Sequence, residues 1–180
     1  MENEVVTGKY SKICSFSEGL AAVRSKKTLK WGFIDETGNE VISCKYDEVH
    51  SFSDDMAVVG TFDSDKYEKD LKLYPFLDQY QSYSEKREMF TKWGCIDKSG
   101  KEIVPCKYLF FKDFSEGFAR VAFGDLKSPG LRHVTMGAME VEYERDYKYG
   151  VVDKNGNEII PCIYENVNDI TLLLKERICK

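Results

Sequence analysis

The sequence contains no Lys/Arg-rich run, no Cys-x-x-Cys pair and no apolar stretch near the roughly 20 residues of a membrane span. Its only histidines are His50 and His133. It has no Gly-x-Ser-x-Gly, no phosphate-binding glycine loop and no His-Glu-x-x-His. Phosphate-backbone binding needs clustered cations, and here 26 Lys and Arg face 31 Asp and Glu, for a net charge of −5. Nucleic acid and anionic membrane are therefore not expected partners. Catalytic residues, a metal site and a cofactor are not expected either. The opening "MENEVVTGKY" has acidic residues where a secretory leader needs basic ones. The expected location is the cytoplasm, where the six cysteines stay as thiols.

What the sequence does have is β-forming material. Hydrophobic residues make up 42% of its 180 positions and charged residues 32%, with eleven Tyr and eleven Phe. This composition describes one folding domain rich in strands rather than a disordered chain.

It also repeats itself. "KWGFIDETGNEVISCKY" at 30–46 returns as "KWGCIDKSGKEIVPCKY" at 92–108 and as "KYGVVDKNGNEIIPCIY" at 148–164. Trp31, Trp93 and Tyr149 align, each followed by glycine, then Asp35, Asp97 and Asp153, then Gly38, Gly100 and Gly156. Cys44, Cys106 and Cys162 align next, followed by Tyr46, Tyr108 and Tyr164. "FSEGLAAV" at 16–23, "FSDDMAVV" at 52–59 and "FSEGFARV" at 114–121 extend the match. "EVVTGKY" at 4–10 lies over "EVISCKY", so the chain is expected to open inside a repeat, with Gly8 in place of the cysteine.

Each unit reads as three short antiparallel strands. Asp35, Asp97 and Asp153 open a hairpin turn that Gly38, Gly100 and Gly156 close, Asp with its own carboxylate and Gly with a positive φ. The second strand alternates, placing Ile42, Cys44 and Tyr46 on one face. A Ser-Glu-Gly turn leads into the third strand, with Asp55 where the other units have Gly19 and Gly117. The expected fold is all-β, about three and a half tandem three-stranded meanders in a single domain over 1–180. It divides into a partial repeat at 4–24, repeats at 30–60, 92–124 and 148–176, and insertions at 61–91 and 125–147. "DITLLLKERICK" at the C-terminus is expected to stand in for the last third strand, and an open edge at 4–10 to be filled by "ITLLLKERI" or by a strand of another chain.

These motifs resemble the WG-repeat (KWG-repeat) family of bacterial β-rich tandem repeats. The resemblance implies a binding or scaffolding role and brings no catalytic residues.

The repeated residues read as structure. The three aspartates sit where turns begin, and calcium needs more oxygen ligands in one loop. Cys44, Cys106 and Cys162 suit small buried hydrophobes, while Cys14 and Cys179 fall outside the pattern and are expected to be exposed. Trp31, Trp93 and Tyr149 suit packing at the seam between repeats. His50 shares its repeat position with Cys14, Lys112 and Asn168 and reads as exposed, without a common task. Glu40, Glu102 and Glu158 read as solvated.

Function is expected in the insertions, because loops of repeat arrays carry their binding faces. Between 61 and 91, Phe76, Tyr80, Tyr83, Arg87 and Phe90 recur at helical spacing, which predicts one short helix from near Pro75. Together with Tyr74 they form the expected contact surface for a protein partner, or else a cover for a sheet edge. "MEVEYER" in the second insertion predicts a strand running into "KYGVVD". The expected function is a non-catalytic protein-interaction module. An immunity or inhibitor protein with one specific partner, and a ligand- or metal-binding protein using the insertions, are the alternatives.

Overall fold

The computed structural model describes residues 8–80, 87, 89–133 and 139–178. Within them lie, in chain order, β1 (Tyr10–Ser17), β2 (Leu20–Ser25), β3 (Trp31–Asp35), β4 (Glu40–Tyr46), β5 (Glu48–Val49) and β6 (Met56–Phe62). Two helices follow, α1 (Ser64–Leu73) and α2 (Phe76–Tyr80), then β7 (Thr91–Asp97), β8 (Glu102–Tyr108) and β9 (Phe110–Phe111). The chain continues with β10 (Phe118–His133), β11 (Met139–Asp153), β12 (Glu158–Tyr164) and α3 (Val167–Ile178). The strands form three four-stranded antiparallel sheets in consecutive order, β1–β4, β5–β8 and β9–β12.

The sheets do not follow the Trp-Gly reading frame. Each combines the Phe-Ser strand of one sequence unit (β2, β6 or β10) with the Trp-Gly strand and alternating strand of the next. The break between sheets falls just after Tyr46 and Tyr108, inside a sequence unit.

Turn chemistry sets the hairpins. Asp35 Oδ1 accepts the backbone N–H groups of Thr37 and Asn39, at 3.0 and 2.9 Å, and Gly38 has φ +87°. Asp97 accepts from Ser99 and Lys101, and Asp153 from Asn155 and Asn157, in the same way. In the Phe-Ser turns both central residues have positive φ, Glu18 and Gly19, Asp54 and Asp55, Glu116 and Gly117. That backbone matches the right-handed twist of the flanking strands.

The glycine after each tryptophan has a different purpose. A Cβ on Gly32 would stand 2.3 Å from the Ile42 carbonyl oxygen, and one on Gly94 would stand 2.3 Å from that of Val104. The neighbouring strand bulges inward there: between the pairs Trp31↔Tyr46 and Phe33↔Ile42, β4 holds more residues than β3. Pro105 and Pro161 sit in the corresponding bulges of β8 and β12, at the sheet edge, where a missing N–H breaks no ladder.

The sheets stack face to face. Leu20, Ala22, Phe33, Ile42 and Tyr46 of the first pack against Phe52, Ala57, Val59 and Ile96 of the second. Met56, Val58, Cys95, Val104 and Tyr108 on the second sheet's far face pack against Phe111, Phe114, Ala119, Val121 and Val152 of the third. The outer face of the third sheet, with Val151 and Ile160, is covered by Ile170, Leu173 and Leu174 of α3.

This last contact corrects the expected C-terminal strand. Residues 167–178 are helical, so they neither replace a third strand nor fill an edge at 4–10, of which 4–7 lie outside the described residues. Val167, Ile170 and Leu174 recur at intervals of three and four, and no Ser-Glu-Gly turn precedes them to start a strand. The first insertion is also more helical than expected. Its first helix begins at Ser64, capped by Asp63, whose side chain accepts the Lys66 N–H at 3.0 Å. Pro75 follows the end of that helix, and α2 starts directly after it at Phe76, where the helical spacing places a helix; Arg87, Met89 and Phe90 are helical as well, and 81–86 and 88 lie outside the described residues. In the second insertion, β11 runs unbroken from Met139 into the Tyr-Gly strand, as the alternation predicts.

Candidate functional site

Both insertions leave the stack at the same topological place, the connection between the Phe-Ser strand and the Trp-Gly strand. In the first sheet this link is short, from Ser25 to Trp31. In the second it is the helical insertion between β6 and β7, and in the third it is the extended hairpin of β10 and β11. Successive sheets therefore carry their insertions on one side of the stack, and α2 lies beside β11.

The helical insertion folds around a core of its own. Leu77 and Phe90 are fully buried there, with Phe62, Tyr67, Leu71, Tyr74, Phe76 and Met89 packed around them. Tyr67 and Phe90 meet edge to face, ring centres 5.2 Å apart. Its attachment to the sheet runs through Asp47, a buried carboxylate. Asp47 accepts Lys30 Nζ at 2.7 Å and the Phe62 N–H at 3.1 Å, and its backbone carbonyl accepts Arg87 Nη2. Arg87 Nε reaches Glu48 at 3.0 Å.

This placement sorts the six expected contact residues. Phe90 is 1% exposed and cannot meet a partner; its ring is used inside the insertion. Arg87 ties the insertion to Asp47 and Glu48, so its guanidinium is an anchor. Tyr74 and Phe76 are half-buried, with rings 6.0 Å apart at the outer end of α1. Tyr80 ends α2, and Tyr83 lies outside the described residues. Leu73, which the helical spacing passed over, is 63% exposed beside Tyr74.

The repeat residues sit at the seams. Trp31 packs on the core between the first and second sheets, Trp93 on the next, and Tyr149 under α3. Tyr46, Tyr108 and Tyr164 stand opposite them across the strand pair. Cys44, Cys106 and Cys162 are partly buried, and burial raises the pKa of each thiol, to about 11 at Cys162. Cys95 is fully buried and is pushed up to about 12 for the same reason. Cys14, expected to be exposed, packs partly on the first seam; Cys179 lies outside the described residues.

Glu40 and Glu158 are exposed, as expected, and His50 is partly so, but all three side chains also make specific contacts. His50 Nδ1 lies 2.6 Å from Asp113 of the next sheet, and its ring is 5.2 Å from Trp93. Glu40 accepts the Tyr10 hydroxyl at 3.1 Å and Lys9 Nζ at 2.8 Å, and Glu158 accepts the Tyr108 hydroxyl at 3.0 Å. The recurrence of Lys-Tyr and of glutamate five residues past Asp was visible in the sequence, but the bonds between the tyrosines and the glutamates were not.

Among the described residues, no three His, Cys, Asp or Glu side chains gather to hold a metal ion. No helix among them is long and apolar enough to cross a membrane.

Stacked four-stranded sheets with variable loops on one side define a β-repeat protein. A family model described as "WG containing repeat" matches residues 1–27, 31–60, 93–126 and 149–171, more than half of the chain. The protein belongs to this WG-repeat family. No curated protein and no solved structure matches it.

Proposed function

We propose that the chain is a non-catalytic protein-interaction module of the cytoplasm, and that its partner is held on the side of the stack where the insertions emerge. The carrying observation is the insertion of residues 61–91. It has its own apolar core and a buried ionic anchor at Asp47, and it still leaves Leu73 exposed beside Tyr74 and Phe76. Exposed apolar groups on an ordered projection suit a partner better than solvent. Repeat sheets then serve as the rigid mount, and the insertions as the variable contact.

The test compares two baits in affinity capture with mass spectrometry: the intact chain, and one with residues 66–90 replaced by a short turn. The insertion core is separate from the cores between sheets, so the shortened chain keeps its stack. A partner held by the first bait and lost by the second, and then reconstituted with purified components, supports the reading. Equal retention by both moves the contact to the sheets, and a failure to reconstitute any partner removes the reading.

A further inference from the structure

The second and third Phe-Ser turns of the stack are each gripped by the turn of the sheet before. Ser17 Oγ donates to the Phe52 carbonyl at 2.8 Å, and the Glu18 carboxylate accepts the Asp55 N–H at 2.9 Å. One sheet on, Ser53 Oγ donates to the Phe114 carbonyl at 2.9 Å, and Asp54 accepts the Gly117 N–H at 2.7 Å. The phenylalanine of the incoming turn drops onto the preceding sheet. Phe52 lies 4.9 Å from Phe33 in the core that holds Leu20 and Ala22, and Phe114 shares a core with Met56 and Val58. Both rings are 2% exposed.

The third turn has the same gripping groups and no following turn, because β12 leads into α3. Ser115 Oγ and the Glu116 carboxylate make no hydrogen bond or ion pair among the described residues. Beside them opens a cleft of about 340 Å³, lined by Ser115, Glu116, Phe118 and Arg120 of the sheet and by Thr171 and Leu174 of α3. Phe118 and Arg120 occupy the repeat positions of Leu20 and Ala22, the residues on which Phe52 settles. Arg120 extends across to Thr171 Oγ1 at 3.3 Å, where the earlier sheets have a small apolar side chain. Helix α3 thus covers the third sheet's face and leaves open the corner in which an incoming turn would sit.

At the other end of the stack, the first turn shows the complementary half. Phe16, the counterpart of Phe52 and Phe114, is 47% exposed, with Ile13 beside it at 39%. Its turn, Ser17–Leu20, has the positive-φ pair of the turns that are gripped elsewhere. One molecule therefore displays both a turn of the right shape and an open grip for such a turn.

We propose that the Ser115–Arg120 cleft is a docking site for the Phe16–Gly19 turn of a second copy of this chain, joining molecules head to tail. Ser115 Oγ would take the Phe16 carbonyl, Glu116 the Gly19 N–H, and the Phe16 ring would lie on Phe118 and Leu174. Such a contact is heterologous, so it leaves one free turn and one free cleft and can extend. Only one turn enters, so the interface is smaller than the roughly 1,200 Å² of a stable complex and belongs to weak, concentration-dependent association.

Sedimentation of the full chain across a concentration series up to about 1 mM, where millimolar contacts register, reads this directly. The expected result is an average mass rising from the 20.8 kDa monomer past the dimer. Phe16→Asp removes the turn's knob, and Ser115→Trp fills the cleft; both positions are exposed and outside every core. Each variant alone is expected to associate at least tenfold more weakly. An equimolar mixture of the two should recover association and stop at the dimer, since each supplies the half the other lacks; misfolded variants could not do this. A wild type that stays monomeric throughout overturns the proposal. So does association that survives both substitutions, or a mixture that remains monomeric.

Discussion

Tyr108, at the end of one sheet, donates its hydroxyl hydrogen to Glu158 of the next sheet, 3.0 Å away and fifty residues further along the chain. Tyr10 and Glu40 make the same tyrosine–glutamate bond within the first sheet, at 3.1 Å. The Tyr108 bond closes the rim of a seam whose interior is apolar. The ring and the hydroxyl of Tyr108 make separable contributions, because the ring is buried in the core and the bond lies at its margin. Tyr108→Phe should cost about 0.5–1.5 kcal/mol, the net worth of one such bond. Tyr108→Ala should cost about 3–5 kcal/mol, the range for deleting a large core aromatic. Urea unfolding of the two variants against wild type checks the separation, and equal losses would contradict it.

Close approach of strands makes a sharper demand. Gly94 lies where a Cβ would meet the Val104 carbonyl at 2.3 Å, whereas a Cβ on Gly117 would meet nothing within 4 Å. Gly117 has φ +83°, so alanine there should cost about 1–2 kcal/mol for its left-handed backbone. Gly94→Ala must push β8 out of its bulge, and it should cost more than Gly117→Ala by at least about 2 kcal/mol, near the limit of what one substitution can do. Thermal unfolding of the pair ranks them. The reverse order would mean that the bulge relaxes.

Acid should loosen the turns. The Asp35 and Asp97 carboxyls are held below the usual range by hydroxyl groups, those of Thr37 and Ser99, and by backbone N–H groups. At Asp153 slight burial pulls upward, and the side chain and backbone N–H of Asn157 outweigh it. Glu40 is lowered chiefly by Lys9. A carboxyl lowered in the folded state stabilises the fold above its unfolded pKa of about 4, and that contribution disappears as pH falls through the folded value. Urea midpoints should therefore be flat from pH 7 to pH 5 and fall below about pH 4. Asp97→Asn keeps an acceptor for the same N–H groups and should show a shallower fall.

Thiol chemistry should report burial. Only the thiolate reacts, and burial raises the thiol pKa at Cys44, Cys95, Cys106 and Cys162. A short pulse of alkylating reagent at pH 8 on the native protein should leave Cys95 unmodified and the other three largely so, while denatured protein reacts at all four. Peptide mass spectrometry reads each site. Rapid native labelling of Cys95 would show that its seam opens.

The anchor at Asp47 has a readout that does not depend on a partner. Asp47→Ala strands Lys30 and frees Arg87 from its carboxylate, and leaves a buried Phe62 N–H without its acceptor. Loss of a buried acceptor with charged donors costs about 1.5–3 kcal/mol. The insertion core is independent of the stacked cores, so that loss should fall mainly on the insertion. Limited proteolysis should cut within 61–91 faster, at an unchanged unfolding temperature for the stack.

The sequence made the turns legible because their chemistry is local. An aspartate that caps its own turn and a glycine at positive φ three residues later depend on nothing distant. Alternation in "EVISCKY" likewise showed which side chains go inward. The grouping of strands into sheets was not legible, because a repeat of period n looks the same from any starting point; the Trp-Gly motif drew the frame, while the sheets break after Tyr46 and Tyr108. The candidate contact residues misled for a related reason. Phe90 and Arg87 have the spacing of a helix face, but periodicity cannot say whether that face turns toward a partner or into the insertion's own core. The C-terminal helix was written in the spacing of Val167, Ile170 and Leu174, and similarity to a repeat strand obscured it.

Because each sheet takes strands from two successive units, no single unit folds into a layer alone. A genetic duplication or loss of one repeat length, wherever its breakpoints fall, nevertheless recreates whole layers, as removing one period from a wave leaves the wave continuous. The array can thus change length between generations without an altered seam, and the side loops can diverge independently of it.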